Sequence, residues 1–438
     1  MDDGALDVVE FVLTAAVYTD DRELEPDDLP PAYRGVFWSD GQIERPLAAT
    51  ADTAREATGV DRPWDAVSEL MFTDYDDFSG TISFTDRGMA EQWYRDRADE
   101  ARLADNPALA AHFGEDDVYE RAREQVRPAR ADRAFIDDLL AEYFDDDEEE
   151  EMLDLVDVRA PEEIEMSLDD IVLTDDQEGE ITKIVKAIEH REYLAQIGLR
   201  EIGKLLFVGP PGTGKTSVAR GLGGKLGLPV VEVKLSMITS QYLGETAKNV
   251  EKTFEVAKRL APCILFIDEF DFVAKTRASD EHAAIKRAVN TLLKSIDEVS
   301  LVQDEVLLIG ATNHPDQLDA AAWRRFDEIV NFPKPDRGMR AAILDVVTAE
   351  MEIIDFDPET LAEMTEGLTG SDLRMVLREA VLDALTEERT TLTQSDLDDA
   401  VAEFEERDTL KNLDMIEGDH DALVAGGDIE GGTGHSHD

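Results

Sequence analysis

The chain has 438 residues, 101 of them acidic against 43 basic, for a formal net charge of −58. That length holds two or three domains with a large core, and apolar residues making up 42% of the chain, with the acids spread over its whole length, argue against general disorder. The acidity argues against non-specific binding to nucleic acid or to an anionic membrane, and the single cysteine, Cys263, excludes a disulfide framework or a thiolate metal site within one chain.

Lysine is absent before Lys183, and arginine outnumbers it. Among an acidic tail, a disordered acidic chain and a salt-adapted surface, this pattern favours the last, because high salt screens the self-repulsion of such a charge. A cytoplasmic protein of a salt-loving archaeon is expected. No apolar run reaches the length of a membrane span, and Met1-Asp-Asp lacks the basic start of a signal peptide.

Residues 1–144 carry no legible motif. Leu6 to Tyr18 is apolar enough for a buried helix, Trp64 to Phe72 and Ala90 to Ala104 have helical patterns, and Gly80 to Thr85 suits a short strand. In Ala131 to Phe144, the residues Phe135, Leu139, Leu140 and Tyr143 fall on one helical face, which is either core or a docking face against the next domain. The segment reads as a small, mostly helical, partner-binding domain. Asp145 to Glu151 is seven consecutive acids, read as part of a solvated linker over 145–164 or, alternatively, as an acidic arm for a basic partner.

From 165 to 336 strands alternate with helices. Leu205 to Val208, Val230 to Lys234, Ile264 to Ile267 and Val306 to Gly310 are short aliphatic runs, which predicts an α/β domain with a parallel sheet covered on both faces. Between them, Ala247, Val250, Phe254 and Ala257 recur at helical spacing. Only helical patterns remain over 337–408, a helical subdomain, and 409–438 is an acidic, Gly-rich tail expected to be disordered. The tail's His435 and His437 could hold a metal weakly, but two histidines on such a tail more often hold nothing.

The chemistry starts at Phe207 to Thr216, which fits the phosphate-loop pattern with Gly209, Gly214, Lys215 and Thr216 between a strand and a helix. Gly209, Pro210, Pro211, Gly212, Thr213 and Gly214 would form the loop whose glycines let backbone N–H groups turn toward phosphate oxygens, with Ser217 in the helix behind them. Lys215 would reach the outer phosphates of ATP and Thr216 would ligate Mg²⁺. In Cys263 to Glu269, the four apolar residues Ile264 to Ile267 run into Asp268 and Glu269, a carboxylate pair at the C-terminal end of a parallel strand. Asp268 would hold Mg²⁺ through its hydration shell, and Glu269 would polarise the attacking water as general base, so a hydrolase is expected. Asn313 ends a further strand and would hydrogen-bond the γ-phosphate or that water. Arg324 and Arg325 are adjacent cations in a chain poor in them.

In this order the motifs resemble the AAA ATPase family over about 165–405. They are Leu168 to Ile171, the phosphate loop, Gln241 to Thr246, the Asp268-Glu269 strand, Ala311 to Asp319, Arg324-Arg325-Phe326 and Gly370-Ser371-Asp372. The resemblance implies a phosphate-loop fold with a C-terminal helical lid and a ring hexamer. It implies that Asp170 and Ile171 flank adenine, that Asn313 senses the γ-phosphate, and that Arg324 and Arg325 reach a neighbouring subunit's ATP. Ser371 would approach the nucleotide, cap its helix, or both. Tyr242, Leu243 and Gly244 match the family's pore loop, whose aromatic ring grips an extended chain.

Several positions depart from the family. Val172-Leu173 stands where many members have Gly-Gly, and Asp297-Glu298-Val299 replaces an Asp-Gly-hydrophobic segment. The adjacent arginines resemble the katanin and spastin branch, and the ending His435 to Asp438 lacks the tail that plugs into a proteasome. Two functions fit: ATP-driven remodelling or unfolding of a protein client, or a nucleotide-dependent switch that threads nothing. DNA handling is disfavoured by the charge.

Overall fold

Six strands make the central sheet: Val156–Arg159 (β1), Lys204–Val208 (β2), Val230–Val233 (β3), Cys263–Ile267 (β4), Val306–Thr312 (β5) and Glu328–Asn331 (β6). They lie in the order β6-β2-β5-β4-β3-β1, all parallel except β1 against β3. The computed structural model that shows this describes residues 3–39, 42–114, 116–200, 202–235, 246–271, 283–318 and 320–417.

Successive strand residues point to opposite faces. Leu205, Leu206 and Phe207 are each 1% exposed or less, so both faces of the sheet are covered. One face packs Leu206, Leu265, Ile267 and Leu308 against Val250, Phe254 and Ala257 of the helix Thr246–Arg259 and Ile296 of the helix Ala283–Glu298. The parallel α/β architecture expected from the aliphatic runs is present.

The acidic stretch is not a linker. Asp147–Leu153 is a helix capped by Asp146, whose side chain accepts the Glu149 N–H at 2.8 Å. Acids in a first helical turn complement the helix dipole, which offsets their mutual repulsion. Glu149 pairs with Arg259 at 2.7 Å, Met152 is buried, and the chain runs on into β1. The strand escaped sequence reading because its pattern, Val-Asp-Val-Arg, is short and half charged. Arg159 pairs with Glu232 on β3 at 3.1 Å, and Arg220 forks onto the same carboxylate at 2.5 and 2.8 Å.

Residues 1–144 are built around the helix Asp3–Asp20, whose Val8, Phe11, Leu13 and Tyr18 are at most 1% exposed. Two helical expectations break differently. Past Val67 the chain turns into a hairpin, Thr73–Asp76 with Thr81–Phe84, because the Thr73 hydroxyl donates to the Val67 and Leu70 carbonyls at 2.8 Å. The 90–104 segment is two helices, Arg87–Arg95 and Glu100–Ala104, because Asp99 caps the second by accepting the Arg102 N–H at 2.9 Å.

The face formed by Phe135, Leu139 and Tyr143, on the helix Arg133–Tyr143, lies across from Pro229, Leu260 and Pro262. It is a docking face against the half that carries the central sheet. Ion pairs brace it. Arg34 is fully buried and donates from Nε to Asp132 at 2.8 Å; Asp132 also meets Arg127, which reaches Glu162 at 2.8 Å.

The chain divides into two compact units, and everything above belongs to the first. The second comprises the chain from Phe332 onward with Ile171–Leu173 and Gly209–Gly214. Its helices Arg337–Thr348, Pro358–Met364, Gly370–Thr386 and Gln394–Glu417 share a core of Leu344, Leu361, Leu373, Val376 and Leu397. A two-residue parallel ladder, Ile353–Ile354 with Leu392–Thr393, is too short to signal itself in sequence. The final helix reaches Glu417, beyond the expected start of the tail, because apolar and charged residues continue without a glycine until Gly418.

Asp132→Ala would leave the Arg34 guanidinium buried without its carboxylate, so the unfolding free energy should fall by about 3–5 kcal/mol. A urea titration followed by tryptophan fluorescence reads this as a lower midpoint. Removing Asp52, the exposed partner of Arg55 at 3.1 Å, should leave the midpoint in place.

Candidate functional site

Strands β2, β5 and β4 are consecutive neighbours whose C-terminal ends lie side by side: Val208 lies opposite Thr312, and β4 stops two residues earlier, with Ile267 opposite Gly310. The residues that follow them are therefore the sequence-predicted chemical groups. Lys215 and Thr216 open the helix Lys215–Leu226 after the β2 loop, Asp268 and Glu269 follow β4, and Asn313 follows β5.

Thr216 Oγ1 donates to Asp268 Oδ2 at 2.9 Å. Lys215 is 6% exposed, and burial lowers its pKa below the usual lysine range, opposed by the Asp268 carboxylate. Glu269 is exposed and left-handed, with φ 51°, and its N–H donates to Asp268 Oδ1 at 2.8 Å. A glutamate held at positive φ is strained by about 1–3 kcal/mol, and such strain concentrates at functional sites. The conformation turns the chain sharply after Asp268, and Phe270 returns to the core, its N–H donating to the Ala311 carbonyl at 2.7 Å. Asn313 is half-buried at the end of β5. Ser217 is half-buried in the first turn of its helix.

Sequence reading missed Asp271. It is 2% exposed and accepts from Thr312 Oγ1 at 3.2 Å, tying the segment after the acid pair to β5. A carboxylate two residues beyond Glu269 was the available signal.

The two arginines part company. Arg324 is exposed. Arg325 is held inside its own chain, donating to the carbonyls of Leu293 (3.0 Å) and Ala321 and pairing with Asp297 at 3.1 Å. Reaching a neighbour would require it to give up all three contacts, two of which fasten it to the C-terminal part of the helix Ala283–Glu298. Within the segment Asp297-Glu298-Val299, Asp297 thus has a local partner in Arg325.

In the second unit the phosphate loop shows why its glycines are needed. Gly209 has φ 153°, and a Cβ there would lie 2.0 Å from the Phe332 carbonyl oxygen. Gly212 has φ 77° and would press within 2.5 Å of Thr369 Oγ1. Pro210 O accepts from Thr213 Oγ1 at 2.8 Å, while Pro211 is exposed. Gly214 has φ 97°. The helix cap expected at Ser371 belongs to Thr369, which forms a capping box with Asp372. Ser371 is exposed, and its N–H donates to the Gly212 carbonyl at 3.2 Å.

Asp170 is exposed at the end of a short turn, Leu168–Asp170, and Leu168 is buried where a Cβ on Gly221 would come within 3.2 Å of its backbone. Ile171 is half-buried. Tyr242, Leu243 and Gly244 lie outside the described residues. Among the described residues no helix is long and apolar enough to cross a membrane.

The neighbouring strand ends, the glycine loop, the buried lysine and the hydroxyl–carboxylate pair define a phosphate-loop nucleotide-binding protein. A profile of the ATPase family associated with various cellular activities, AAA, matches residues 205–334, and one of the AAA+ lid domain matches 355–399. Over 240 residues the chain is 39% identical to an AAA family ATPase of Sinorhizobium fredii, covering 55% of this chain and 71% of that protein. It is 37% identical over 248 residues to the ATP-dependent zinc metalloprotease FtsH 3 of Sphaerobacter thermophilus, covering 56% of this chain and 50% of the relative. It is 39% identical over 219 residues to the proteasome-activating nucleotidase of Pyrococcus horikoshii, covering 49% and 55%. The chain belongs to the AAA ATPase family. It spans only half or so of the two latter proteins.

Gly209→Ala should cost the chain its nucleotide. A Cβ 2.0 Å from a carbonyl cannot be accommodated without moving the loop, so affinity for a fluorescent ATP analogue should fall at least about tenfold, or about 1.4 kcal/mol. Titration of the analogue into wild type and variant measures it.

Proposed function

We propose that this chain binds ATP with Mg²⁺ and hydrolyses it, as a ring hexamer that remodels or unfolds a protein client recruited through residues 1–144. The observation that carries the hydrolytic reading is the Thr216–Asp268 contact of 2.9 Å at a strand end also bearing Glu269. Two hard oxygens so close, beside a buried lysine, suit a small divalent cation that takes oxygen ligands. Bound there, Mg²⁺ would supply charge neutralisation on the phosphate oxygens. Thr216 and Asp268 hold the cation and its water, while Lys215 presents a positive charge to the outer phosphates. Glu269 accepts a proton from the attacking water, and Asn313 orients that water or the γ-phosphate. Asp170 and Ile171 border the base, and Ser371 approaches the nucleotide from the lid.

Arg324 is the group that completes a neighbour's site. Arg325 positions it by fastening its segment to the helix Ala283–Glu298. Such an arginine in trans is worth ~10³–10⁵ in rate in related phosphoryl transfer. A ring closes only if the interface is heterologous, head to tail. Protein-directed work is supported by the names of two relatives, a metalloprotease and a proteasome-activating nucleotidase. Tyr242, Leu243 and Gly244 would grip the client in the pore. The acidic composition supports a cytoplasmic, salt-adapted setting, and the adjacent arginines support the katanin and spastin branch.

Glu269→Gln should keep ATP binding and lower turnover at least about 10²-fold. Mixing it with Arg324→Ala should restore part of the activity, since some pockets then combine an intact Glu269 with an intact neighbouring arginine. Steady-state phosphate release reads both. Unchanged turnover in Glu269→Gln, or mixtures no more active than the separate variants, would contradict the reading.

A further inference from the structure

The docking face of residues 1–144 does not close completely on the nucleotide-binding half. A cleft of about 490 Å³ remains between them, with Trp38, Phe135 and Leu139 on one side and Leu260 and Pro262 on the other. That volume lies within the range of sites that enclose small organic ligands, and such sites favour domain interfaces. Its walls are held apart by fixed contacts. Arg34, Asp132, Arg127 and Glu162 form a continuous chain of ion pairs between the halves. Gly227, at the end of the phosphate-loop helix, sits where a Cβ would be 2.9 Å from Pro128. The cleft is therefore preformed, which lowers the ordering cost of binding.

Its charges are unequal in status. Asp27 Oδ1 accepts the Ala129 N–H at 2.6 Å, and Glu25 faces Arg123 at 3.6 Å. Arg259 is spent on the Tyr143 carbonyl at 2.6 Å and on Glu149 at 2.7 Å and Glu255 at 3.2 Å. Arg130 alone differs: it lines the cleft, and its Nε is buried without a hydrogen-bond partner among the described residues. In a chain with 101 acids and 43 bases, an arginine in a cleft that no carboxylate has claimed is conspicuous. A buried donor left unmade is costly, and among the described residues no carboxylate offsets the Arg130 charge, so an anion in the cleft meets an uncommitted guanidinium.

We propose that this cleft is a second ligand site, taking a small amphipathic carboxylate. The aryl or aliphatic body lies against Phe135, Leu139 and Leu260, and the carboxylate accepts from the Arg130 guanidinium, whose planar fork matches it. The ligand joins residues 1–144 to the loop that leads into β4, the strand ending in Asp268. The site stands independently of the ATPase reading.

The test uses the full chain and two free acids, octanoate and 4-phenylbutyrate, with their neutral primary amides. In titration calorimetry at least one acid should bind one per chain, with Kd on the order of 0.1–1 mM for ligands this small, and at least about tenfold tighter than its amide. Arg130→Gln should abolish the preference for the acid while leaving ATP turnover unchanged. Leu139→Asp, on the apolar wall, should abolish binding of acid and amide alike. No saturable binding by either acid, amides that bind as tightly as the acids, or an acid preference that survives Arg130→Gln would each overturn the proposal. If Leu139→Asp unfolds the chain, the Arg130→Gln comparison decides alone.

Discussion

The register of β2, β5 and β4 is the constraint on which the candidate site depends. Each strand contributes little chemistry itself; its use is to end beside its neighbours, β2 level with β5 and β4 two residues earlier. With Val208 opposite Thr312 and Ile267 opposite Gly310, the loop lysine and threonine, the acid pair and the asparagine follow neighbouring strand ends. The register is pinned by burial. A slip of one residue would turn every inward side chain of a strand to its other face, and these strands have no face free to accept it. Core packing and site geometry are thus one requirement.

The parts legible in sequence are those where local pattern and tertiary role agree. Runs such as Leu205 to Val208 and Ile264 to Ile267 are apolar on both faces because they are buried on both faces. The acids after Ile267 stood out because they end such a run abruptly. What stayed hidden depends on partners distant in sequence. Val156–Arg159 is a strand only because β3 offers an edge, and Asp147–Leu153 is a helix partly because Arg259 meets Glu149. Nothing near Arg325 reveals that Leu293 and Asp297 hold it, so two adjacent arginines read as equivalent when one is exposed and the other engaged. The lid helix is capped by Thr369 instead of Ser371, a two-residue difference that motif spacing does not resolve.

The acidity that dominates the composition has a structural counterpart in how arginine is used. With few cations available, many serve as connectors: Arg127 and Arg133 bind residues 1–144 to the segment 158–163, Arg34 holds Asp132 behind Arg127, and Arg159 and Arg220 converge on Glu232. Arginine suits this work because its fork holds two acceptors at once and its charge survives burial. The same connectors make residues 1–144 an extension of the nucleotide-binding half. The end of the phosphate-loop helix meets residues 1–144 at Pro128, where a Cβ on Gly227 would come within 2.9 Å.

The central claim is that Thr216 and Asp268 act as one cation-holding unit at the strand ends. A double-mutant cycle on Mg²⁺-dependent ATP binding, with Thr216→Ala, Asp268→Ala and the pair, tests it most directly. The account predicts a coupling within the 0.5–3 kcal/mol typical of directly contacting residues, with about 1 kcal/mol or more expected here. Effects that add to within roughly 0.3–0.5 kcal/mol would mean the two residues act separately, and would contradict it.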